Sequence, residues 1–363
     1  MVKRITMSLL YYNPIDLYSK ENLEKYPALH STEPFKRLFN PSISLFDRTE
    51  NIKWPVKFKN LYPMPKDLYT NKNFETICNE RMLDIIAYVK ANPSKQFVVM
   101  YSGGIDSTLI IVLLLQLGDQ ELFDRTLVIL NEASIAENPE FYNKYITQFR
   151  MASSNSFEKY LTEEHIVLTG EFADNVFGSL TLGMAMDRLG DRTIAHAPYQ
   201  EYALKFFTQK LGGIEEAQKY MDVMDPLMKL NPNGIESLHD YMWWINFTMK
   251  WQAVEFRILS HARQDEVLSL DWVNNSLIHF WNTETWQQWS VSNPDKKVGK
   301  DWASYKWVAK ELIYEFDRNR TYYTLKTKVP SLPDMVRFKN VNNFITDDMK
   351  FHKTLNLENL IND

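Results

Sequence analysis

VVMYSGGIDSTLIIVLLL, residues 98 to 115, joins two apolar runs through two glycines, an acid and the hydroxyls of Ser102, Ser107 and Thr108. A connection between two buried elements needs turn residues, but it does not need a carboxylate and three hydroxyls as well. The run QFVVMY, 96–101, reads as a buried strand, and the stretch from Ile105 to Leu117 reads as a helix ended by Gly118. Between them, Gly103 and Gly104 allow a tight turn that exposes backbone N–H groups. The helix that follows aims its positive end at the same spot. Such a turn is suited to cradle phosphate. Asp106 would repel bare phosphate, so its presence suggests a bridging Mg2+, a hard cation that prefers carboxylate and phosphate oxygens. Neither the GxxxxGK[ST] loop nor the GxGxxG fingerprint occurs in the chain. At average residue frequencies, S-G-G-x-D-[ST] arises by chance in about one chain of this length in a thousand.

Working outward, residues 74–91 are predicted as an amphipathic helix with Ile77, Met82, Ile85, Ile86 and Val89 on one face. RTLVIL, 125–130, and HIVLTG, 165–170, read as further strands, and a helix begins at Pro139, a favourable first-turn residue. This β-α-β-α-β order predicts an α/β fold with a doubly wound parallel sheet, whose ligands lie at the carboxyl ends of the strands. The third strand runs into GEFADNVFG, which puts Gly170 and Glu171 at its end and Asp174 three residues on. Two carboxylate positions would then converge on one ligand, although Asp174 by itself reads more often as a helix cap, since its neighbours look like a helix start. Residues 1–75 form a small, proline-spotted N-terminal accessory region, 76–190 the α/β core, and 191–363 a helical, Trp-rich part completing the site. Nine of the ten tryptophans lie between Trp243 and Trp307, so this last part is expected to hold its own aromatic core. Within it, residues 243, 244, 247, 251 and 254 would share one helical face.

Composition narrows the function class. A net charge of −5 offers no basic footprint for nucleic acid. The one cysteine, Cys78, excludes a disulfide framework, a Cys-rich zinc site and a CxxC pair, and reads as a buried thiol. The longest apolar run, Leu109 to Leu115, is far too short to span a bilayer, and the first residues make a poor signal peptide. The expectation is a soluble, cytoplasmic protein with no membrane partner.

SGGIDS resembles the pyrophosphate loop of the N-type ATP pyrophosphatases, the PP-loop family with the adenine nucleotide α-hydrolase-like (HUP) fold. TGEFADNVFG is similar to the SGEGSDE-hydrophobic-FGG segment of asparagine synthetase and β-lactam synthetase. Weaker matches follow in FTMKWQAVEFR, VLSLDW, SYKWVAKELI and YTLKTKVPS, so that the resemblance spans roughly residues 75–335. It implies AMP-forming amide synthesis: a carboxylate attacks the α-phosphate of ATP, pyrophosphate leaves, and ammonia or an amine takes the acyl group. The resemblance implies that Ser102, Gly103, Gly104, Ser107 and Thr108 hold pyrophosphate, with Gly170 at the neighbouring strand end. It makes Asp106 and Asp174 ligands of Mg2+ and puts Leu130 and Asn131 beside the adenine. Glu171 would orient or deprotonate the nitrogen nucleophile. Lys326, with Lys328 as second choice, would steady developing charge, and Lys306 matches an earlier family lysine. From sequence alone, each lysine also reads as a solvated surface charge.

The chain departs from the family pattern. Phe172, Ala173 and Asn175 replace a glycine, a serine and a second acid, and Phe172 is expected to fill space near the acyl substrate. The segment from Leu130 to His165 is short, so that one strand and helix would be lost or compressed. The chain starts Met-Val, without the family's cysteine nucleophile, and 75 residues are too few for a glutaminase domain. The nitrogen would come from free ammonia, an amine substrate or a separate ammonia-supplying protein. Two other readings compete. A nucleic-acid-modifying PP-loop ATPase would need a basic face or catalytic cysteines, and neither is visible. A nucleotide-binding protein without catalysis is favoured by the altered EFADN, and opposed by the joint presence of Asp106, Glu171 and Asp174.

Overall fold

The computed structural model describes residues 7–39, 44–178, 180–266, 268–327 and 342–362. Among them are eight strands: β1 (Leu9–Tyr12), β2 (Gln96–Met100), β3 (Thr126–Leu130), β4 (Arg150–Ser153), β5 (His165–Thr169), β6 (Leu277–His279), β7 (Phe344–Thr346) and β8 (Phe351–His352). No helix among the described residues is long and apolar enough to cross a membrane. Three consecutive regions were expected, but the chain forms two compact units whose segments alternate along the sequence. One comprises Met1–Met64, Gly178–Gln264 and Asp334–Asp363; the other comprises Pro65–Phe177 and Asp265–Pro333.

The second unit holds the α/β core. The fully buried run Phe97 to Val99 forms the middle of β2, which pairs in parallel with β3 on one side and β5 on the other. The five-stranded sheet has the order β4-β3-β2-β5-β6, and every pairing is parallel. The chain thus builds outward from β2 to β3 and β4, then returns to build β5 and β6 on the other side. Strand order reverses between β2 and β5, which in an open α/β sheet makes their carboxyl ends the ligand crevice.

The helix Ile105–Leu117 is buried without interruption from Ser107 to Leu114. An apolar surface all round requires cover on several sides, and the helices Phe74–Ala91 and Trp307–Asp317 both pack on it. Helix Phe74–Ala91 buries the five predicted positions, together with Phe74 and the free thiol of Cys78. Between Leu130 and His165, the segment read as short, the chain forms the four-residue strand β4, which pairs Leu127 with Arg150 and Leu130 with Ser153. The sixth strand, β6, is only three residues long, and its register pairs Val167 with Leu277.

In the first unit, β1 lies antiparallel to β7, which in turn pairs with β8. The N-terminal residues therefore supply a strand to this unit's own sheet. The predicted helix over YMWWINFTMKWQAVEF is two helices, Leu238–Met249 and Trp251–Leu259, divided at Lys250. Its apolar residues do not form one stripe: every residue of Leu238–Met249 except Asp240 is buried, as befits a helix surrounded by protein. The tryptophans do not make one core either. Trp243, Trp244 and Trp251 cluster in the first unit, with the Arg48 guanidinium 4.5 Å from the Trp251 ring centre. Trp281, Trp286 and Trp289 surround Phe74 and Phe177 in the second unit, with Trp281 and Trp286 ring centres 4.7 Å apart.

Candidate functional site at the strand switch

Two turns leave the sheet side by side. After β2, Tyr101 is tied to β3 by its N–H to the Ile129 carbonyl, 2.9 Å, and the chain then turns through Ser102 to Gly104. Gly103 has φ +75°, and a Cβ there would lie 2.2 Å from the Ser134 carbonyl oxygen. Only glycine satisfies both the left-handed backbone and this approach. Ser107 braces the turn: its Oγ accepts the Ser102 N–H at 3.1 Å and lies 3.0 Å from the Ser102 hydroxyl. Thr108 is fully buried, and its hydroxyl donates to the Gly103 carbonyl at 3.4 Å, so it supports the loop from beneath. Ser102 is exposed. Gly104 is the N-cap of Ile105–Leu117 and supplies no capping side chain, which leaves the first-turn N–H groups without a side-chain acceptor there.

The second turn follows β5. Gly170 lies so close to the first turn that a Cβ on it would be 3.2 Å from both Asp106 Cβ and the Ser107 nitrogen. Glu171 is half-buried, and its N–H donates to Thr169 Oγ1 at 3.2 Å. Phe172 is a non-glycine residue at φ +72°. Its ring is buried and sits 5.2 Å from the His279 ring, while His279 Nδ1 lies 2.6 Å from Thr169 Oγ1. Asp174 follows in the first turn of the helix Ala173–Phe177.

Lys306 joins the two turns. Its side chain is 0% exposed, and its Nζ lies 2.6 Å from Asp106 Oδ2 and 2.9 Å from Asp174 Oδ1. The residue itself is held at φ +60° as the N-cap of Trp307–Asp317, with its N–H donated to the Lys297 carbonyl. A left-handed lysine is uncommon, and such backbone is retained where the surroundings over-determine it. Tyr305, directly before it, donates its hydroxyl to Asp174 Oδ1 at 3.3 Å. Burial pushes that hydroxyl well above its ordinary range, and the charges of Asp174 and Asp106 add to the rise, so it remains a donor. Two carboxylates and one ammonium leave this cluster with a formal charge of −1.

A second ion pair flanks the same loop. Lys326, at the end of the helix Arg320–Leu325, donates its Nζ to Glu137 Oε1, and its side chain is 9% exposed. Neither Lys306 nor Lys326 is the solvated surface charge that sequence alone also allowed. Lys310 lies nearby and donates to the Ala303 and Lys326 carbonyls, with burial lowering its ammonium to about 8. Tyr322 is buried beneath the loop with its hydroxyl 3.5 Å from Thr108 Oγ1. Leu130 is buried at the end of β3, and Asn131 beside it caps the helix Glu132–Glu137 by accepting the Ser134 N–H at 2.9 Å. Lys328 lies outside the described residues.

The donor types suit Mg2+. Asp106 and Asp174 converge on one cation position, and their side chains are 19% and 17% exposed. No group of three or more His, Cys, Asp or Glu side chains that would hold a metal occurs among the described residues. Mg2+ is commonly held by one or two carboxylates with phosphate oxygens and water completing its shell; the pair meets that count, and the Lys306 ammonium takes the position the two carboxylates share. Sequence reasoning missed Tyr305 and Glu137. Tyr305 stands next to a chosen lysine, whereas no local pattern marks Glu137. No family model matches the chain, and no characterised protein matches it at a significant level.

Proposed function

We propose that this chain is an ATP-dependent amide-bond synthetase of the PP-loop type, with a HUP-like core, that releases pyrophosphate and transfers an acyl group to ammonia or an amine. The observation that carries this reading is the convergence of Asp106 and Asp174, from turns after adjacent strands, on the single ammonium of Lys306 at the strand switch. Bound ATP would supply pyrophosphate as leaving group, and Mg2+ would offset its charge. Ser102, Gly103, Gly104 and the first-turn N–H groups after Gly104 are the donors for that polyphosphate, fixed before it arrives by the Ser107 brace. Lys306 and Lys326 contribute positive charge on either side. Glu171 takes the proton that an amine must lose before it has a lone pair to offer. Gly170 permits the close approach that brings the two turns together.

Phe172 and Ala173 favour a second reading, a nucleotide-binding protein without amide formation, because they stand where the resembled family has small or hydroxyl-bearing residues. Equilibrium binding of ATP with Mg2+, exchange of labelled pyrophosphate into ATP, and amide yield with a pool of carboxylic acids separate the two. The ligase reading expects binding and exchange in the parent. It expects exchange to vanish in Asp106→Asn, and to persist in Glu171→Gln while amide yield falls by about 10²-fold. Binding without exchange supports the second reading, and absence of ATP binding overturns both.

A further inference from the structure

Glu137 ends the short helix after β3, and it lies directly on the glycine turn. A Cβ placed on Gly103 would meet Glu137 Cβ at 2.9 Å, and one placed on Gly104 would meet Glu137 Oε1 at 3.4 Å. That same Oε1 accepts from Lys326. The pair is largely withdrawn from water, with side chains 19% and 9% exposed. A lysine so placed needs a nearby counter-charge, because an unpaired ammonium out of water is costly. The turn beside it opens a thirteen-residue helix that has no capping side chain, which favours negative charge at that end. The Glu137 carboxylate thus lies where the fold concentrates affinity for an anion.

We propose that Glu137 is the resident counter-anion of Lys326, which the polyphosphate of the nucleotide displaces. This rests on the ATP-binding reading and adds a residue to it. Glu137 is a positioning residue: it holds Lys326 in place and screens its charge until phosphate arrives. The affinity for polyphosphate is then the difference between two pairings of one ammonium, with phosphate and with Glu137. Removing the carboxylate charge while keeping its shape weakens only the second.

The test is calorimetric titration of the whole protein with inorganic pyrophosphate and Mg2+. The variants are Glu137→Gln, Lys326→Met and the double substitution, with thermal melts run alongside. Glu137→Gln should bind pyrophosphate about tenfold tighter, within the usual range of coupling between two sites. In the Lys326→Met background the same change should have little effect, because no cation remains to be released. A purely structural pair would instead lower the melting temperature with unchanged or weaker pyrophosphate binding, which overturns the proposal. If Glu137→Gln does not fold, Glu137→Asp, which shortens the reach to Lys326, should show a smaller gain, and no gain there overturns it too. A parent that binds neither pyrophosphate nor ATP brings down the ligase reading itself. A parent that binds, with no gain in the variants, brings down only the role of Glu137.

Discussion

The turns after β2 and β5 both carry a residue in the left-handed region, Gly103 at φ +75° and Phe172 at φ +72°, yet they fill it with the smallest and one of the largest side chains. The difference lies in what stands opposite. At Gly103 the Ser134 carbonyl would be 2.2 Å from any Cβ, so both backbone and space demand glycine. At Phe172 the side chain has somewhere to go, against His279 at the end of β6. Left-handed backbone costs an L residue about 1–2 kcal/mol, and a fully buried aromatic ring more than offsets that. A positive φ therefore does not by itself call for glycine; it does so where the Cβ has no room.

Gly103→Ala should break the first turn outright. The left-handed cost and the backbone collision add, and a loss of about 4 kcal/mol in denaturant unfolding is expected; under the proposed function, ATP binding is lost with it. A loss below about 1 kcal/mol would mean that Ser134 moves aside easily and that space does not distinguish the turns. Phe172→Gly is the middle case. Relief of about 1–2 kcal/mol of strain is set against about 3–5 kcal/mol for removing a buried ring, leaving a net loss of about 2 kcal/mol. A variant more stable than the parent would show that the ring is tolerated rather than required. Gly170→Ala should be mildest, about 1 kcal/mol by thermal melting. Its backbone is not left-handed, and the contacts at 3.2 Å require a shift of only a few tenths of an ångström.

The α/β core was legible where the local pattern was dense. Helices Phe74–Ala91 and Ile105–Leu117 begin and end at the predicted residues, and β3 and β5 fall within the apolar runs read as strands. β4 escaped notice because its sequence, RMAS, is largely exposed and carries no apolar alternation. β6 escaped because three residues are too few to show a period. The tryptophans misled for another reason. Closeness in sequence suggested a shared core, but the chain passes between units at about residue 265, inside the tryptophan-rich stretch.

The candidate site divides the same way. The glycine turn and the acids after β5 are contiguous in sequence, so their chemistry could be read directly. That Lys306 is wholly buried and bridges Asp106 to Asp174, two hundred residues from the first, depends on folding. The partnership of Glu137 with Lys326 is likewise a product of tertiary structure. Thr108 was read as a ligand-facing hydroxyl, because a helix start does not reveal which first-turn side chains point into the core.

The pairing of β1 with β7 has a consequence for how the protein is made. Leu9 pairs with Thr346 and Tyr12 with Phe344. At translation rates of about 5–20 residues per second, Leu9–Tyr12 leaves the ribosome about 20–70 s before the strand that completes its ladder. During that interval the apolar segment LLYY can meet the Lys57–Lys59 stretch, which exchanges backbone hydrogen bonds with Leu9, but its edge toward β7 stays unpaired. The first unit is thus completed only when its last segment arrives, and until then β1 presents an edge for chaperone capture or mispairing. A substitution that slows the arrival of β7 should lower the yield of folded protein more than it lowers the stability of the molecules that do fold.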